Sequence, residues 1–508
     1  MVHLQIDGIS IEVPEGTTVL RAAEQAGVEI PRLCDHPALK PFGACRVCLV
    51  EVQGMRTLQP SCTLPVMENM VVRTSTPAVA EARKFVLALI FSERNHFCPY
   101  CQMTGGDCEL QNTALQQGMT HWPIAPSWKV FEVDASNPDI LLEHNRCILC
   151  RRCVRACADL VGMSTLGFEE RGSDSMLTAD LGKPLGQSSC ISCGVCVQVC
   201  PTGTLTDRRS SYQGRDKTGE MVDSICIECG IGCGTTVFMR DNRVVRVDGD
   251  WQSEVSGGVL CKAGRFTLLD EKRDRVLQPM LRKDGKLVES GWDEALAAAA
   301  AGLKTAPTQA VVSSRLPAEA LYAFQQLATG LGAQPGALPD RDVSAIPPFL
   351  GEHIGANLGA SPILTKQAPD NVSWAEPYTV HAGANFQALQ ALGIENAPTA
   401  LYGAVLVALG DDQAAPALVK SLAGAHFVVA LASYASALTE RADVVLPVEN
   451  WAEHEGHYLN LIGRLQKTAA VLKTPAGVWS NEAALNGLAQ KFALKLQGDW
   501  ETALKVTA

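Results

Sequence analysis

The sequence predicts a multidomain protein, α+β in its first half and α/β in its second. Three observations lead there. The chain has 508 residues, which at about 150 residues per domain is room for three or four domains. All 19 cysteines lie between Cys34 and Cys261, in runs set among strand-like and helix-like segments. From about residue 276 the composition turns to Ala, Leu and Gly. There, short apolar runs alternate with helical periodicity, the pattern of a parallel sheet between helices.

The elements follow in order. Residues 3–14 alternate apolar and polar around Asp7-Gly8, which predicts a hairpin. Thr17–Ala26 reads as a short helix capped by Thr17 or Thr18. Val47–Val52 and Met70–Thr74 read as strands, closing a first domain over 1–77. Residues 78–118 are helical around a cysteine-bearing loop, and Trp122–Trp128 is a proline-containing connection. A cysteine-dense domain runs over 138–208, and Ser210–Gly219 is polar and glycine-containing, a linker. Residues 220–275 alternate in strand fashion around four more cysteines. Within 276–508, Trp292–Lys304 and Ala318–Gly330 read as helices. Ala404–Leu409 and Phe427–Leu431 read as buried parallel strands. Leu338–Ala375, rich in Pro, Gly and Asn, reads as irregular.

Composition excludes several functions. At 47% hydrophobic and 19% charged residues the chain can bury a large core and is not disordered. A net charge of −11 disfavours nucleic-acid binding. The apolar runs Phe85–Ile90 and Ala404–Leu409 fall far short of the ~20 residues a bilayer requires. Met1–Pro14 shows no charged-then-apolar leader pattern, so export is not expected. A disulfide framework would not leave every position after Cys261 without a cysteine, and disulfides persist mainly in oxidising compartments. Clustered thiols in a chain that is not exported read as metal sites.

Cys34, Cys45, Cys48 and Cys62 follow C-x10-C-x2-C-x13-C, with Gly43 and Ala44 leaving room beside the second thiol. Four thiolates on loops suit a [2Fe–2S] cluster, whose potential is tuned by backbone N–H groups aimed at sulfur. Zinc is the alternative, but zinc sites usually pair two short knuckles and here the first ligand stands alone. His36 lies inside this complete set and reads as structural. Next come Cys98, Cys101 and Cys108, one ligand short of a cubane, with His96 two residues before the first. An imidazole carries no charge where a thiolate carries one, which raises a cluster's potential. The alternative for His96 is a structural role at the end of the preceding helix.

Cys147, Cys150, Cys153 and Cys157 form C-x2-C-x2-C-x3-C, and Cys190, Cys193, Cys196 and Cys200 repeat it, with Pro201 following. This is the bacterial two-cluster ferredoxin pattern, in which the fourth cysteine of each run serves the other cluster. The expected [4Fe–4S] sets are therefore Cys147, Cys150, Cys153 with Cys200, and Cys190, Cys193, Cys196 with Cys157. Ala158 stands where the first run usually has proline. Cys226, Cys229, Cys233 and Cys261 give C-x2-C-x3-C-x27-C, a fourth cubane, with a four-cysteine zinc ribbon as the alternative. These five sets use every cysteine.

With those motifs in view, CDHPALKPFGACRVCLVEV and SCTLPV resemble the N-terminal [2Fe–2S] domain of the large iron–sulfur subunit, the G-type subunit, of NADH:quinone oxidoreductase (complex I). They are equally similar to the diaphorase iron–sulfur subunit of NAD-reducing hydrogenases and to the α-subunit of NAD-dependent formate dehydrogenases. NHFCPYC and the two ferredoxin runs continue that resemblance through residue 208. CIECGIGCGTTV with GGVLCKAGRF resembles the cluster domain of molybdopterin oxidoreductases, and residues 441–466 look like a late segment of that superfamily. The resemblance implies a β-grasp [2Fe–2S] domain (1–77), a one-His/three-Cys domain (78–118), a two-cluster ferredoxin domain (138–208), a molybdopterin-oxidoreductase-type cluster domain (220–275) and a shortened α/β region (276–508). Two departures leave the parent complex open. Complex I subunits of this type usually place three residues between the histidine and the next cysteine, whereas here there is one, Phe97. Hydrogenase diaphorase subunits usually stop after the two-cluster domain, whereas this sequence continues.

No molybdopterin is expected, because no cysteine follows Cys261 and the region is short for a complete molybdopterin fold. His353, His381 and His426 are scattered. His454 and His457, with Glu453 and Glu455, read as a solvated turn, with a metal site as the alternative. Gly330, Gly332, Gly355 and Gly359 do not form G-x-G-x-x-G after a strand, so no nucleotide site is expected.

The chain therefore reads as an electron-relay subunit with one [2Fe–2S] and four [4Fe–4S] clusters and no complete active site of its own. The resemblance implies a flavin/NAD-binding partner and a downstream hydrogenase, dehydrogenase or quinone-module subunit. It implies a cytoplasmic location, or the inner membrane face through partners. The alternative of another class is a zinc-stabilised assembly protein without a redox role.

Overall fold

The computed structural model describes residues 1–96, 108–121, 123–211, 213, 219–358, 361, 363–366 and 376–505. The chain divides into two compact units. One holds 1–220 with 347–349 and 369–376. The other holds 221–346, 350–368 and 377–508. Among the described residues no helix is long and apolar enough to cross a membrane.

The first unit opens with the expected hairpin. Val2–Ile6 pairs antiparallel with Ile9–Val13, and Asp7 and Gly8 both take positive φ at its turn. Val2–Ile6 then pairs in parallel with Met70–Arg73, which pairs antiparallel with Leu49–Val52. A parallel pair needs a long crossover, and the crossover here carries the helix Val19–Gln25 and the first cysteine loop. Thr18 caps that helix by accepting from the Arg21 N–H. Leu4, Ile6, Leu20, Val50 and Val72 fill the core between helix and sheet, together with the side chains of Cys48 and Cys62.

A long helix, Pro77–Glu93, follows with Thr76 as its cap; proline at the first helical position lacks only an N–H that would be unpaired there anyway. Glu109–Gln116 packs against it through Leu87, Phe91, Leu110 and Ala114. In the cysteine-dense region, short helices Arg152–Arg155 and Val195–Gln198 lie beside a small sheet of Leu205–Asp207, Ile140–Glu143 and Val133–Asp134. The expected linker Ser210–Gly219 lies largely outside the described residues, as does Trp122.

In the second unit, Glu220–Ile225 begins a three-stranded sheet with Gly234–Arg240 and Arg243–Gly249. The main sheet runs Lys286–Glu289, Met280–Lys283, Val444–Pro447, Gly424–Ala432, Tyr402–Gly410, Thr308–Val312, Pro335–Ala337, Glu395–Asn396. From Val444–Pro447 to Glu395–Asn396 the pairs are parallel, with an antiparallel hairpin added at one edge. Helices Trp292–Leu303, Ala318–Gly330 and Asn481–Gln490 bury Ala299, Leu303, Phe324, Leu327, Leu485 and Leu488 against one face. Leu401, Leu418, Leu422 and Leu438 pack against the other. Covered on both faces, the central strands carry the continuous apolar runs that marked them in the sequence.

One expectation is corrected. Leu338–Ala375 is not irregular over its described residues. Val343–Ile346 and Leu364–Lys366 both pair antiparallel with Tyr378–Val380, and Pro348–Leu358 is a helix. Its proline stands at the first position, where it starts a helix instead of breaking one. One of its two glycines is a packing device: a Cβ on Gly351 would lie 2.1 Å from the Tyr378 ring.

Candidate metal centres

The first thiol set sits on the loop between Val19–Gln25 and Leu49–Val52, with Cys62 just past the following strand. Cys34, Cys48 and Cys62 are buried and Cys45 half-buried. Gly43 and Arg46 take φ of 75° and 59°, so the backbone turns tightly around Cys45, a shape that aims amides inward. The Cys34 N–H donates to Cys45 Sγ at 3.4 Å. Hydrogen bonding from Cys45 and then Cys62 draws the Cys34 thiol well below its ordinary range. Those contacts drive Cys45 and Cys62 up, and Cys62 holds Cys48 near 7. Four thiols in mutual contact share protons that a bound metal displaces. His36 Nδ1 accepts from the Ala38 N–H at 3.2 Å, and burial with nearby arginines pushes its pKa down to about 4, so the ring is neutral.

Of the second set, Cys98 and Cys101 lie outside the described residues. His96 is 5% exposed, and burial, with Arg146 and Arg94, pushes its pKa down to about 3. Its Nε2 is buried without a hydrogen-bond partner among the described residues. A neutral imidazole with an unused buried nitrogen fits metal ligation, since ligation needs that lone pair. Cys108 is buried at the start of Glu109–Gln116, and its thiol faces the Pro201 carbonyl at 3.8 Å.

The two ferredoxin runs fold as matched turns. Leu149 and Arg151 have positive φ, as do Ser192 and Gly194 at the equivalent places. The Leu149 N–H donates to Cys147 Sγ and the Ser192 N–H to Cys190 Sγ, each at 3.4 Å. Cys147, Cys150, Cys153 and Cys200 line one small cavity, so the fourth member comes from the other run. In the same way the Cys196 thiol is influenced by Cys193, Cys190 and Cys157. Burial raises Cys147 and Cys190 to about 11 and Cys150 to about 12. Thiols raised by burial are poor nucleophiles; they become thiolates when a metal supplies the opposing charge.

Cys226, Cys229, Cys233 and Cys261 are all buried. Burial lifts each thiol, and the neighbouring thiols lift Cys226, Cys229 and Cys233 further. A Cβ on Gly264 would come within 3.0 Å of Cys226 Sγ, so the helix start that carries Cys261 approaches closely because it has none.

Arginines tie the loops of the first unit together. Arg152, 2% exposed, grips Glu109 with both Nη atoms at 2.7 and 2.8 Å and donates to the Val199 carbonyl at 3.3 Å. It thus joins the residue after Cys108 to the residue before Cys200. Arg155, two residues before Cys157, donates to the carbonyls of Cys34 and Lys40. Sequence reasoning missed these residues. An arginine beside a cysteine reads as surface charge until its distant partner is known.

The His454 region is corrected in part. Glu453 and His454 are buried, at 7% and 6% exposure, so the stretch is not a solvated turn. The four side chains also diverge. Glu453 pairs with Arg275, His454 bonds the Asn450 carbonyl and Tyr458 Oη, His457 bonds Glu319 at 2.5 Å, and Glu455 pairs with Lys467. The polar cavity lined by Glu228, Arg273, Arg315, Arg341 and Asp411 holds about 40 Å³. Its guanidiniums are already paired, Arg273 with Glu271, Arg315 with Glu228 and Asp411, and Arg341 with Asp412.

Known families match this arrangement segment by segment. Residues 1–77 match a 2Fe-2S iron-sulfur cluster binding domain, and 83–122 the NADH-ubiquinone oxidoreductase-G iron-sulfur binding region. Residues 137–206 match the ferredoxin-like domain of NADH-quinone oxidoreductase subunit 3. Residues 220–269 match the molybdopterin oxidoreductase Fe4S4 domain, and 275–345 with 375–479 the molybdopterin oxidoreductase family. The chain is 40% identical over 333 residues to the G 2 subunit of NADH-quinone oxidoreductase from Rhizobium meliloti (strain 1021), covering 64% of this chain and 39% of that protein. It is 36% identical over 337 residues to the G-type subunit of the same enzyme from Streptomyces coelicolor, covering 65% and 39%. It is 33% identical over 335 residues to the NADPH-Fe(3+) oxidoreductase subunit alpha of Geobacter sulfurreducens, covering 64% and 39%. The chain thus spans about two-fifths of the length of these relatives. A solved NAD+-reducing [NiFe]-hydrogenase in the H2-reduced state is 37% identical with a TM-score of 0.40, covering 42% of this chain and 91% of that one. Over residues 1–269 the chain is thus similar to the iron–sulfur domains of the G-type subunit of NADH-quinone oxidoreductase.

Proposed function

We propose that this chain is an electron-relay subunit of a multisubunit NAD(H)-linked oxidoreductase, the counterpart of the large iron–sulfur subunit of complex I. Cys34, Cys45, Cys48 and Cys62 hold a [2Fe–2S] cluster. His96, Cys98, Cys101 and Cys108 hold a [4Fe–4S] cluster. Cys147, Cys150, Cys153 with Cys200, Cys190, Cys193, Cys196 with Cys157, and Cys226, Cys229, Cys233 with Cys261 hold three more. Bound there, the clusters supply one-electron transfers at potentials set by charge, burial and hydrogen bonds to sulfur. The protein's part is to hold thiolates at buried positions, aim amides at them and keep the loops close to one another.

The observation that carries this reading is the pair of arginine ties. Arg155 bonds the carbonyl of Cys34, and Arg152 bonds Glu109 beside Cys108 and the Val199 carbonyl before Cys200, so three ligand loops are fastened to one short helix. Relatives named for NADH-quinone and for NADPH-Fe(3+) oxidoreduction support a flavin/NAD-binding partner as donor. The acceptor is a quinone-module, hydrogenase or dehydrogenase subunit. Residues 276–508 act as a scaffold without molybdopterin, and any membrane association is through partners.

The test is anaerobic purification of the whole chain with iron and acid-labile sulfide analysis. About eighteen irons per chain are expected from these ligand sets, and zinc in their place rejects the reading. With the flavin partner present, Cys150→Ala is expected to stop electron flow from NADH to the acceptor while dye reduction by the flavin persists. Unchanged throughput rejects a relay role for that site.

A further inference from the structure

The two thiol sets of the ferredoxin-like region share one turn geometry but stand in opposite electrostatic surroundings. Arg94 is 2% exposed. Its Nη1 donates to the His144 carbonyl at 3.1 Å, and the Cys147 N–H donates to that same carbonyl at 3.1 Å. Its Nη2 donates to the Ser175 carbonyl, and the guanidinium lies 4.0 Å from the centre of the Phe131 ring. No carboxylate pairs with it among the described residues, and its Nε is buried without a hydrogen-bond partner. A guanidinium in a dry interior is strongly disfavoured unless negative charge lies near. The buried Arg152 lies near Cys150 and Cys200 of the same set. Its partner Glu109 is 44% exposed, so water screens the carboxylate more than the cation. Glu93, the other acid that acts on Cys147, is exposed.

The second set faces carboxylates. Asp180 accepts from the Ser189 N–H at 2.6 Å and the Ser189 hydroxyl at 2.8 Å, directly before Cys190. The Asp180 N–H donates to the Thr165 carbonyl at 3.1 Å. The Thr165 hydroxyl meets Ser189 Oγ at 2.9 Å, and Thr165 also donates to the Cys157 thiol. No cation pairs with Asp180 among the described residues. Asp139 also acts on Cys190, partly offset by Arg209 at 3.5 Å.

We infer that Arg94 and Asp180 set the two cubane sites apart in reduction potential, with the Cys147, Cys150, Cys153 and Cys200 site the higher. The inference rests on these thiols holding cubanes, as proposed above. Reduction adds one electron, makes the site one charge more negative, and forms or breaks no bond. A buried cation beside it favours that change and a half-buried carboxylate such as Asp180 opposes it. Between these two sites, at partial reduction the electron rests at the one that Arg152 and Glu109 tie to the His96 and Cys108 loop. The second site fills only under stronger reduction.

The test uses the full chain, purified anaerobically with its clusters and titrated with dithionite and mediators under EPR. Of the two ferredoxin-type cubane signals, Cys150→Ser should remove the one that is first to reduce. Arg94→Gln should move that signal to lower potential by at least a tenfold change in the one-electron equilibrium, ~59 mV, and Arg94→Lys should restore most of the shift. Asp180→Asn should move the other cubane upward and leave the first in place, and it decides the matter alone if Arg94→Gln does not accumulate. Loss of the later-reducing of those two signals in Cys150→Ser, or midpoints that neither substitution moves, overturns the inference. A wild-type chain without iron and sulfide overturns the relay reading itself, a result distinct from clusters present in the wrong order.

Discussion

Arg315 Nη1 lies 2.7 Å from Glu228 Oε1, the carboxylate between Cys226 and Cys229 in the chain, and both side chains are buried. The same guanidinium holds Asp411 at 2.9 Å and donates to the Ile227 carbonyl at 3.2 Å. One cation thus joins the cysteine loop to the end of the central strand Tyr402–Gly410. Removing it leaves two buried carboxylates uncompensated. Arg315→Met is expected to destabilise the second unit by roughly 3–5 kcal/mol, read as a lower urea midpoint. An unchanged midpoint would show that the ion triad holds nothing.

Asp411 carries the pH dependence of that triad. Burial alone would push its pKa up, but Arg315 more than offsets this and holds it at about 2 against an ordinary 3.8. A depressed carboxylate contributes stability above its unfolded pKa and loses it as pH falls through the folded one. The contribution, of order 2 kcal/mol, should be complete above about pH 4 and vanish toward pH 2. The comparison is chemical denaturation of wild type and Asp411→Asn across that window. The gap between the two curves should shrink as acid is added, and a constant gap would refute the assignment.

The crossing of the ferredoxin thiols is testable by counting iron. A Cys190→Ser/Cys200→Ser double variant removes two ligands from one run. If each run held its own cluster, one cubane would be lost, about four irons. The shared cavity of Cys147, Cys150, Cys153 and Cys200 predicts that both cubanes suffer, with about eight irons lost by the same stoichiometry.

Gly302 faces Phe427 inside the second unit, and a Cβ there would lie 2.1 Å from the ring. Alanine gains up to about 1 kcal/mol of helix propensity. The overlap is far inside the 3.5–4.0 Å of a normal carbon contact, and overpacking of this kind costs ~1–3 kcal/mol. Gly302→Ala is therefore expected to melt lower than wild type. A higher melting temperature would mean the ring moves aside freely.

Features fixed by local spacing were legible before the structure. The Asp7-Gly8 hairpin, the helices Trp292–Leu303 and Ala318–Gly330 and the buried strands around Val407 and Val429 follow from periodicity and turn chemistry within a few residues. The cysteine runs carry their loop geometry with them. What escaped was set by distance in the chain. Arg94, Arg152 and Arg315 find carbonyls or carboxylates 43 to 96 residues away, and the sequence shows only a charge. His454 is buried because Asn450 and Tyr458 accept it into a polar interior, whereas its neighbours Glu453 and Glu455 suggest water. Leu338–Ala375 misled because proline and glycine were counted as breakers, when Pro348 opens a helix and Gly351 lets it reach Tyr378.

The interleaved ferredoxin turns also constrain biosynthesis. Cys147, Cys150 and Cys153 leave the ribosome well before Cys200, and their pocket stays open on one side until translation reaches that residue. Cys157 likewise waits for Cys190, Cys193 and Cys196. A nascent chain stalled between residues 157 and 190 has no finished pocket in this stretch for a maturation factor to fill. On the proposed ligand sets, loading there is a late, joint event, and a truncation before Cys190 forfeits the closure of both.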